Sequence, residues 1–144
     1  MSPPSPLPVP TAVDLLQAPV VLAALAQAWA DSLPNDPMLR HEEGGWIYWD
    51  TTNGQISVRR APAGARASLP LGNPPMVNGS IIVGTFHTHP NPTAQGWNPG
   101  PSAQDSAAAA FTGVPWLIRA DNGDYSTGPP SRRGGAAGGP GYPP

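Results

Sequence analysis

Two helices are predicted at the start of the chain from the spacing of apolar residues and from residues that favour helix starts. One stripe has apolar residues at spacings of three and four: Leu22, Leu25, Trp29 and Leu33. This spacing is typical of a helix face packed on a sheet. Pro19 suits the first position of that helix, which should run to about Ser32. Before it, Thr11 can cap a short helical turn that carries Asp14 in its first turn.

Short runs of β-branched and aromatic residues, bounded by turn residues, predict the strands. Residues 45–50 and 55–60 form a hairpin around an Asn-Gly turn. Residues 80–86 are an unbroken apolar run, which is typical of a central strand covered on both faces. Residues 115–120 and 124–127 form a second hairpin.

The remaining segments complete the predicted order of elements. Residues 61–79 are rich in Pro, Gly and Asn and predict a long loop, whereas an Ala-rich helix begins at Ser102, runs to about Thr112 and ends before Gly113. The order helix, hairpin, strand, helix, hairpin predicts an α/β (α+β) domain, a mixed β-sheet flanked by helices.

Composition divides the 144 residues into three parts. The chain contains 22 Pro and 17 Gly, concentrated towards its two ends. Residues 1–10 read as a Pro-rich disordered leader and residues 128–144 as a Gly/Pro-rich disordered tail. A single folded domain is expected over residues 11–127.

Charge and residue usage exclude several classes of function. A net charge of −2, with seven scattered basic residues, predicts no binding of nucleic acid. No apolar run is long enough to cross a membrane and no signal peptide is evident, so a cytoplasmic location is expected, with secretion as an effector left open. The absence of cysteine excludes disulfides and thiol chemistry, so any metal must be held by His, Asp or Glu.

A candidate metal site lies at the end of the predicted central strand. Because alternate strand residues point the same way, His87 and His89 can direct both imidazoles at one ion, while Thr88 faces the opposite side in a structural role. Asp105, in the first turn of the helix that Ser102 caps, can supply a third ligand. Two histidines and one carboxylate leave the fourth position of a zinc ion for water.

The two glutamates of the chain stand side by side. Glu42 and Glu43 directly precede Gly44-Gly45 and an apolar strand. A carboxylate that lies beside a metal site without binding the ion can carry a proton during metal-assisted hydrolysis.

Together, Glu42-Glu43-Gly44-Gly45, His87-Thr88-His89-Pro90 and Ser102-Ala103-Gln104-Asp105 resemble the JAMM signature of the JAB/MPN zinc metallopeptidases of prokaryotic type. The resemblance covers residues 12–127 and implies a cytidine-deaminase-like fold. It implies that His87, His89 and Asp105 hold one Zn²⁺ ion. It also implies that Glu42 carries the proton, with Glu43 as the alternative, and that Ser102 hydrogen-bonds the oxyanion.

The activity that this resemblance implies is hydrolysis of peptide or isopeptide bonds in a protein or peptide substrate, including bonds after the C-terminal glycine of a ubiquitin-like protein. Two alternatives of the same fold are a bacterial toxin or effector domain and a non-catalytic scaffold, although a scaffold needs no complete set of site residues. Residues 90–101 are longer than the family's usual spacing and should border the site. We expect Trp97 to anchor this loop by packing.

Overall fold

The computed structural model of the protein describes residues 8–144, so residues 1–7 of the predicted leader lie outside the described part. The elements, in chain order, are helices α1 (Ala12–Leu15) and α2 (Pro19–Asp31), strands β1 (Gly44–Asp50), β2 (Ile56–Arg60) and β3 (Ser80–His89), helix α3 (Ala103–Thr112), and strands β4 (Trp116–Ala120) and β5 (Gly123–Thr127). This confirms a mixed α/β architecture. Within residues 8–144, no helix combines the length and apolar character needed to span a membrane.

The five strands form one mixed sheet in the order β2-β1-β3-β4-β5. Strands β3 and β4 are parallel, and the other neighbouring pairs are antiparallel. Strand β3 occupies the centre and is buried along almost its whole length, as its unbroken apolar run predicts. The C-terminal end of β3 is therefore a rigid place for functional side chains.

The Gly44-Gly45 pair lets β1 fit between its two neighbours. A methyl group added at Gly44 would lie 2.1 Å from the carbonyl oxygen of Phe86, and one added at Gly45 would lie 2.0 Å from that of Arg59. No real Cβ atom tolerates such distances. The two glycines therefore bring the start of β1, and the glutamates just before it, against the end of β3.

Helix α2 covers one face of the sheet, but its predicted stripe is partly wrong. Leu25 is buried as expected, whereas Leu22 and Leu33 are 37% and 42% exposed, and Val21 and Ala28 are buried instead. The helix is apolar on nearly all sides, so its sequence is compatible with more than one buried face. Contacts with the sheet select the face that the helix presents.

The opposite face of the sheet carries a second apolar cluster under helix α3. Its buried members are Trp46, Tyr48, Ala61, Leu71, Ile82, Ala109, Val114 and Trp116. Leu71 comes from the long loop 61–79, which has no regular secondary structure, as predicted. The loop and α3 therefore meet on the same side of the sheet.

Residues 128–144 have a composition that predicts disorder, yet in the structure they wrap around one buried side chain. The Arg132 guanidinium donates hydrogen bonds to the carbonyl oxygens of Ile82, Gly135, Gly139 and Gly141 at 2.6–2.9 Å. Ile82 also donates its N–H to a carbonyl of this segment, that of Pro140, at 3.1 Å. The hydrogen bonds of this one arginine thus tie a segment that has few apolar side chains to the central strand.

Candidate metal centre

The two histidines at the end of β3 point to the same side of the sheet. The Nε2 atoms of His87 and His89 lie 3.1 Å apart. Thr88, between them, is fully buried on the opposite side, where its hydroxyl oxygen lies 2.6 Å from that of Ser32. The alternation of strand side chains thus produces the imidazole pair that the sequence predicts.

Helix α3 brings a carboxylate to the two imidazoles. Asp105 Oδ1 lies 3.3 Å from His87 Nε2, and Asp105 Oδ2 lies 3.2 Å from His89 Nε2. A capping box holds the carboxylate: Ser102 Oγ accepts the Asp105 N–H, and Asp105 Oδ2 accepts the Ser102 N–H, both at 3.0 Å. The helix start and the strand end therefore meet at one point.

Neighbouring groups orient both imidazoles. His89 Nδ1 lies 3.2 Å from the carbonyl oxygen of Pro99, an acceptor that requires a hydrogen on Nδ1 and leaves Nε2 facing Asp105. The ring of His87 packs edge-to-face on Trp116, with ring centroids 5.9 Å apart. His87 Nδ1 is buried with no hydrogen-bond partner among the described residues, so Nε2 is the nitrogen that meets polar groups.

The pKa shifts of His87 and Asp105 suit metal ligands, whereas the shift of His89 favours its protonated form. Burial lowers the pKa of His87 and keeps this imidazole neutral. Burial alone would raise the pKa of Asp105, but hydrogen bonds from His87 and His89 hold that pKa well below its usual range. Burial also opposes protonation of His89, yet the Asp105 hydrogen bond and the Glu42 charge raise its pKa on balance.

Glu42 reaches the same place from the segment before β1. One of its carboxylate oxygens lies within 4.8 Å of a ring nitrogen of each histidine. Burial raises the pKa of Glu42 from 4.5 to about 7, because the charged carboxylate loses hydration; the charge of His89 lowers this pKa and that of Asp105 raises it.

Backbone hydrogen bonds fix Glu42 to the long loop. Its N–H donates to the carbonyl oxygen of Ala65, and its own carbonyl oxygen accepts the N–H of Gly64, both at 2.8 Å. Glu42 is therefore supported by the loop rather than by a strand.

The adjacent glutamate lies elsewhere. Glu43 accepts a hydrogen bond from Arg60 at 2.7 Å and also contacts the ring of His41. Arg60 in turn pairs with Asp31 at 3.0 Å. The structure therefore places Glu42 beside the histidines and Glu43 in an ion-pair network near the end of α2, a distinction that adjacent positions in the sequence could not make.

A cavity of about 610 Å³ opens onto the site. Glu42, His87, His89, Ser102 and Asp105 all line it. Its other lining residues come largely from two loops, Ala67–Leu71 and Trp97–Gly100. Sequence reasoning missed the first loop segment, since nothing in its composition points to a site.

Trp97 does not serve as the packed loop anchor that we expect from the sequence. Its side chain is 45% exposed and lines the cavity. The loop is held instead by Asp121, whose Oδ2 accepts both the N–H and the hydroxyl of Thr93 at 3.0 Å.

Two overlapping sets of side chains meet at this point, and in the first of them the ligand atoms lie close enough together to hold a metal ion. Glu42, His87 and His89 form one set; the same histidines with Asp105, at 3.2–3.3 Å, form the other. Imidazole nitrogen and carboxylate oxygen are ligands that zinc accepts. Comparisons of the chain with protein-family models, with curated proteins and with solved structures each give no match.

Proposed function

We propose that this chain is a zinc-dependent peptidase of the JAB/MPN type, which hydrolyses peptide or isopeptide bonds. The observation that carries the proposal is the meeting of His87 Nε2, His89 Nε2 and both Asp105 carboxylate oxygens within 3.1–3.3 Å, with Glu42 buried beside them. The sequence motif and this geometry select the same residues.

Asp105 is the better third ligand, and Glu42 the better proton carrier. Asp105 is ionised over the whole physiological pH range because its pKa is held low, and each of its oxygens faces one imidazole. In the metal-free site burial instead raises the pKa of Glu42 to about 7, so this carboxylate takes up a proton more readily than that of Asp105. This assignment leaves three protein ligands, as catalytic zinc sites have.

The side chains then have separate tasks in hydrolysis. Zinc, when bound, supplies a Lewis acid that polarises the scissile carbonyl and acidifies water. Glu42 takes the proton of the attacking water and returns it to the leaving amine, so that an acid and an amine are released. Ser102 Oγ accepts the Asp105 N–H, which leaves the hydroxyl hydrogen to be donated to the substrate oxygen.

The substrate class that the motif implies includes bonds after the C-terminal glycine of a ubiquitin-like protein. The cavity is bordered by two loops, and its lining residue Trp97 is partly exposed, so a peptide chain can reach it. A glycine on one side of the cleaved bond would let the peptide backbone approach the histidines closely and leave the residue on the other side free to contact the cavity.

The test compares wild type with Glu42→Gln, Glu43→Gln and His89→Ala. Metal content is measured by elemental mass spectrometry, and cleavage is measured on ubiquitin-like fusions and on unmodified peptides. We expect one zinc per chain in wild type, retained in Glu42→Gln with at least about 100-fold slower cleavage. His89→Ala should lose the zinc. Glu43→Gln should retain one zinc per chain and cleave as fast as wild type.

Two results would overturn the proposal. One is a wild-type protein that binds no stoichiometric zinc after purification and reconstitution. The other is a Glu42→Gln variant that cleaves as fast as wild type.

A further inference from the structure

The cavity at the site has a largely apolar lining contributed by two loops. Residues 67–71, here called the apolar wall, belong to one loop, and Trp97 belongs to the other. The apolar lining consists mainly of Leu69, Pro70, Leu71, Trp97, Ala108 and Trp116. A substrate chain that occupies the cavity would contact these residues.

The indole of Trp97 is partly exposed, and its neighbours in the sequence are polar or small residues. The indole is 45% exposed and lines the cavity, so a bound peptide would cover apolar surface there. Its loop is restrained on both sides: Thr93 is bonded to Asp121, and the Pro99 carbonyl contacts His89. Four prolines between residues 90 and 101 restrict the backbone further. The indole is therefore presented by a pre-organised loop.

The cavity offers no cationic side chain of its own besides imidazole. Its ionisable lining groups are Glu42, Asp105 and the two histidines, and none of the seven arginines in the chain lines it. Away from the zinc ligands, a carboxylate on the substrate would lose hydration and find no guanidinium in exchange. An apolar side chain would gain contact with Trp97 and the apolar wall.

We propose that Trp97 and the apolar wall select substrates with an apolar rather than an anionic side chain next to the cleaved bond. This inference rests on the proposed peptidase function and adds the chemical class of residue that the cavity accepts. The partner is an extended peptide segment, and Trp97 is a specificity-determining residue.

The experiment uses internally quenched glycine–alanine peptides with one variable residue: leucine, glycine or glutamate. Mass spectrometry maps the cleaved bond, and the variable residue is then placed on either side of it. For one of these positions we expect kcat/KM to be at least about 10-fold higher for leucine than for glycine or glutamate. Trp97→Ala should reduce the leucine-to-glycine ratio to about 3 or less, and Trp97→Phe should retain most of it.

Phe111→Ala is the matched control. Phe111 is an aromatic side chain that is 87% exposed and does not line the cavity. Its removal should leave the leucine-to-glycine ratio unchanged. Equal cleavage of all three peptides, or a ratio that Trp97→Ala leaves unaltered, would overturn the inference.

A binding measurement separates this inference from the peptidase proposal. The indole N–H signal of Trp97 is assigned by NMR from its loss in Trp97→Phe, and zinc-loaded protein is then titrated with each peptide. If no peptide is cleaved but the leucine peptide alone shifts this signal, the preference of the cavity for an apolar side chain stands and the peptidase proposal fails. If no peptide shifts the signal and none is cleaved, both are wrong.

Discussion

The hydroxyl oxygens of Ser32 and Thr88 lie 2.6 Å apart in the interior, on the side of β3 opposite the imidazoles. The Ser32 hydroxyl donates its hydrogen to the carbonyl oxygen of Ala28 at 2.8 Å, so Thr88 is the donor between the two hydroxyls. Thr88 Oγ1 also accepts the N–H of Glu43 at 3.0 Å. One threonine thus joins the end of α2, the centre of the sheet and the start of β1.

Thr88→Val should lower the free energy of unfolding by about 2–3 kcal/mol, because it leaves the Glu43 N–H unpaired in the interior. The control is Thr85→Val on the same strand. The Thr85 hydroxyl is buried without a hydrogen-bond partner among the described residues, so its replacement should be neutral or stabilising. Urea denaturation of both variants measures the difference; equal destabilisation would contradict the assigned role of Thr88.

Glu42 should make the stability of the metal-free protein depend on pH. Its carboxyl has a pKa of about 7 in the folded chain and an ordinary value of 4.5. The folded state therefore keeps a proton that the unfolded state releases, and the free energy of unfolding should fall by up to about 3 kcal/mol as pH rises from 4.5 to 7. Glu42→Gln should lack this component. Denaturation of both proteins with a chelator present at several pH values measures it, and parallel curves would show that Glu42 has no raised pKa.

Arg132 should contribute strongly to stability. Arg132→Met removes the guanidinium that donates hydrogen bonds to the surrounding carbonyl oxygens, including that of Ile82 in the central strand. We therefore expect the free energy of unfolding to fall by about 2–4 kcal/mol. Arg133→Met is the control, since the side chain of Arg133 is exposed and its substitution should cost less than about 0.5 kcal/mol. Urea denaturation measures both, and hydrogen exchange of the Ile82 amide should accelerate in Arg132→Met alone. Equal unfolding midpoints for the two variants would disprove this contribution.

Gly44→Ala should disrupt the approach of β1 to β3. The added methyl group would meet the Phe86 carbonyl and the backbone of His87, so we expect a loss of at least about 2 kcal/mol and weaker zinc binding. Gly141→Ala is the control, because an added methyl group there meets no atom within 4 Å. Thermal unfolding and zinc titration test the pair; an undisturbed Gly44→Ala protein would contradict the close packing.

Most of the secondary structure could be predicted because its signals are local. Thr11 and Ser102 both form the capping boxes that their positions suggest, and Gly113 ends α3 in a left-handed conformation. The imidazole pair follows from strand alternation alone. These features depend on residues a few positions apart, which the sequence displays directly.

What could not be predicted depends on contacts between distant segments. The path of residues 128–144 depends on the hydrogen bonds of Arg132. The composition of this segment shows only that apolar side chains are scarce. The placement of Leu69–Leu71 beside the histidines has no periodic pattern behind it. Likewise, Glu43 lies away from the histidines in an ion pair with Arg60, which is 17 positions away in the sequence.

The backbone bonds between Glu42 and the long loop have a consequence for the discrimination between substrates. Residues 64 and 65 hold Glu42, and the same loop continues directly into the apolar wall at residues 67–71. Under the proposed peptidase function, a peptide too large for the cavity would push residues 67–71 outwards and draw the Glu42 carboxylate away from the attacking water. Such a peptide would bind but be cut slowly, so the chain would reject it through kcat rather than through affinity.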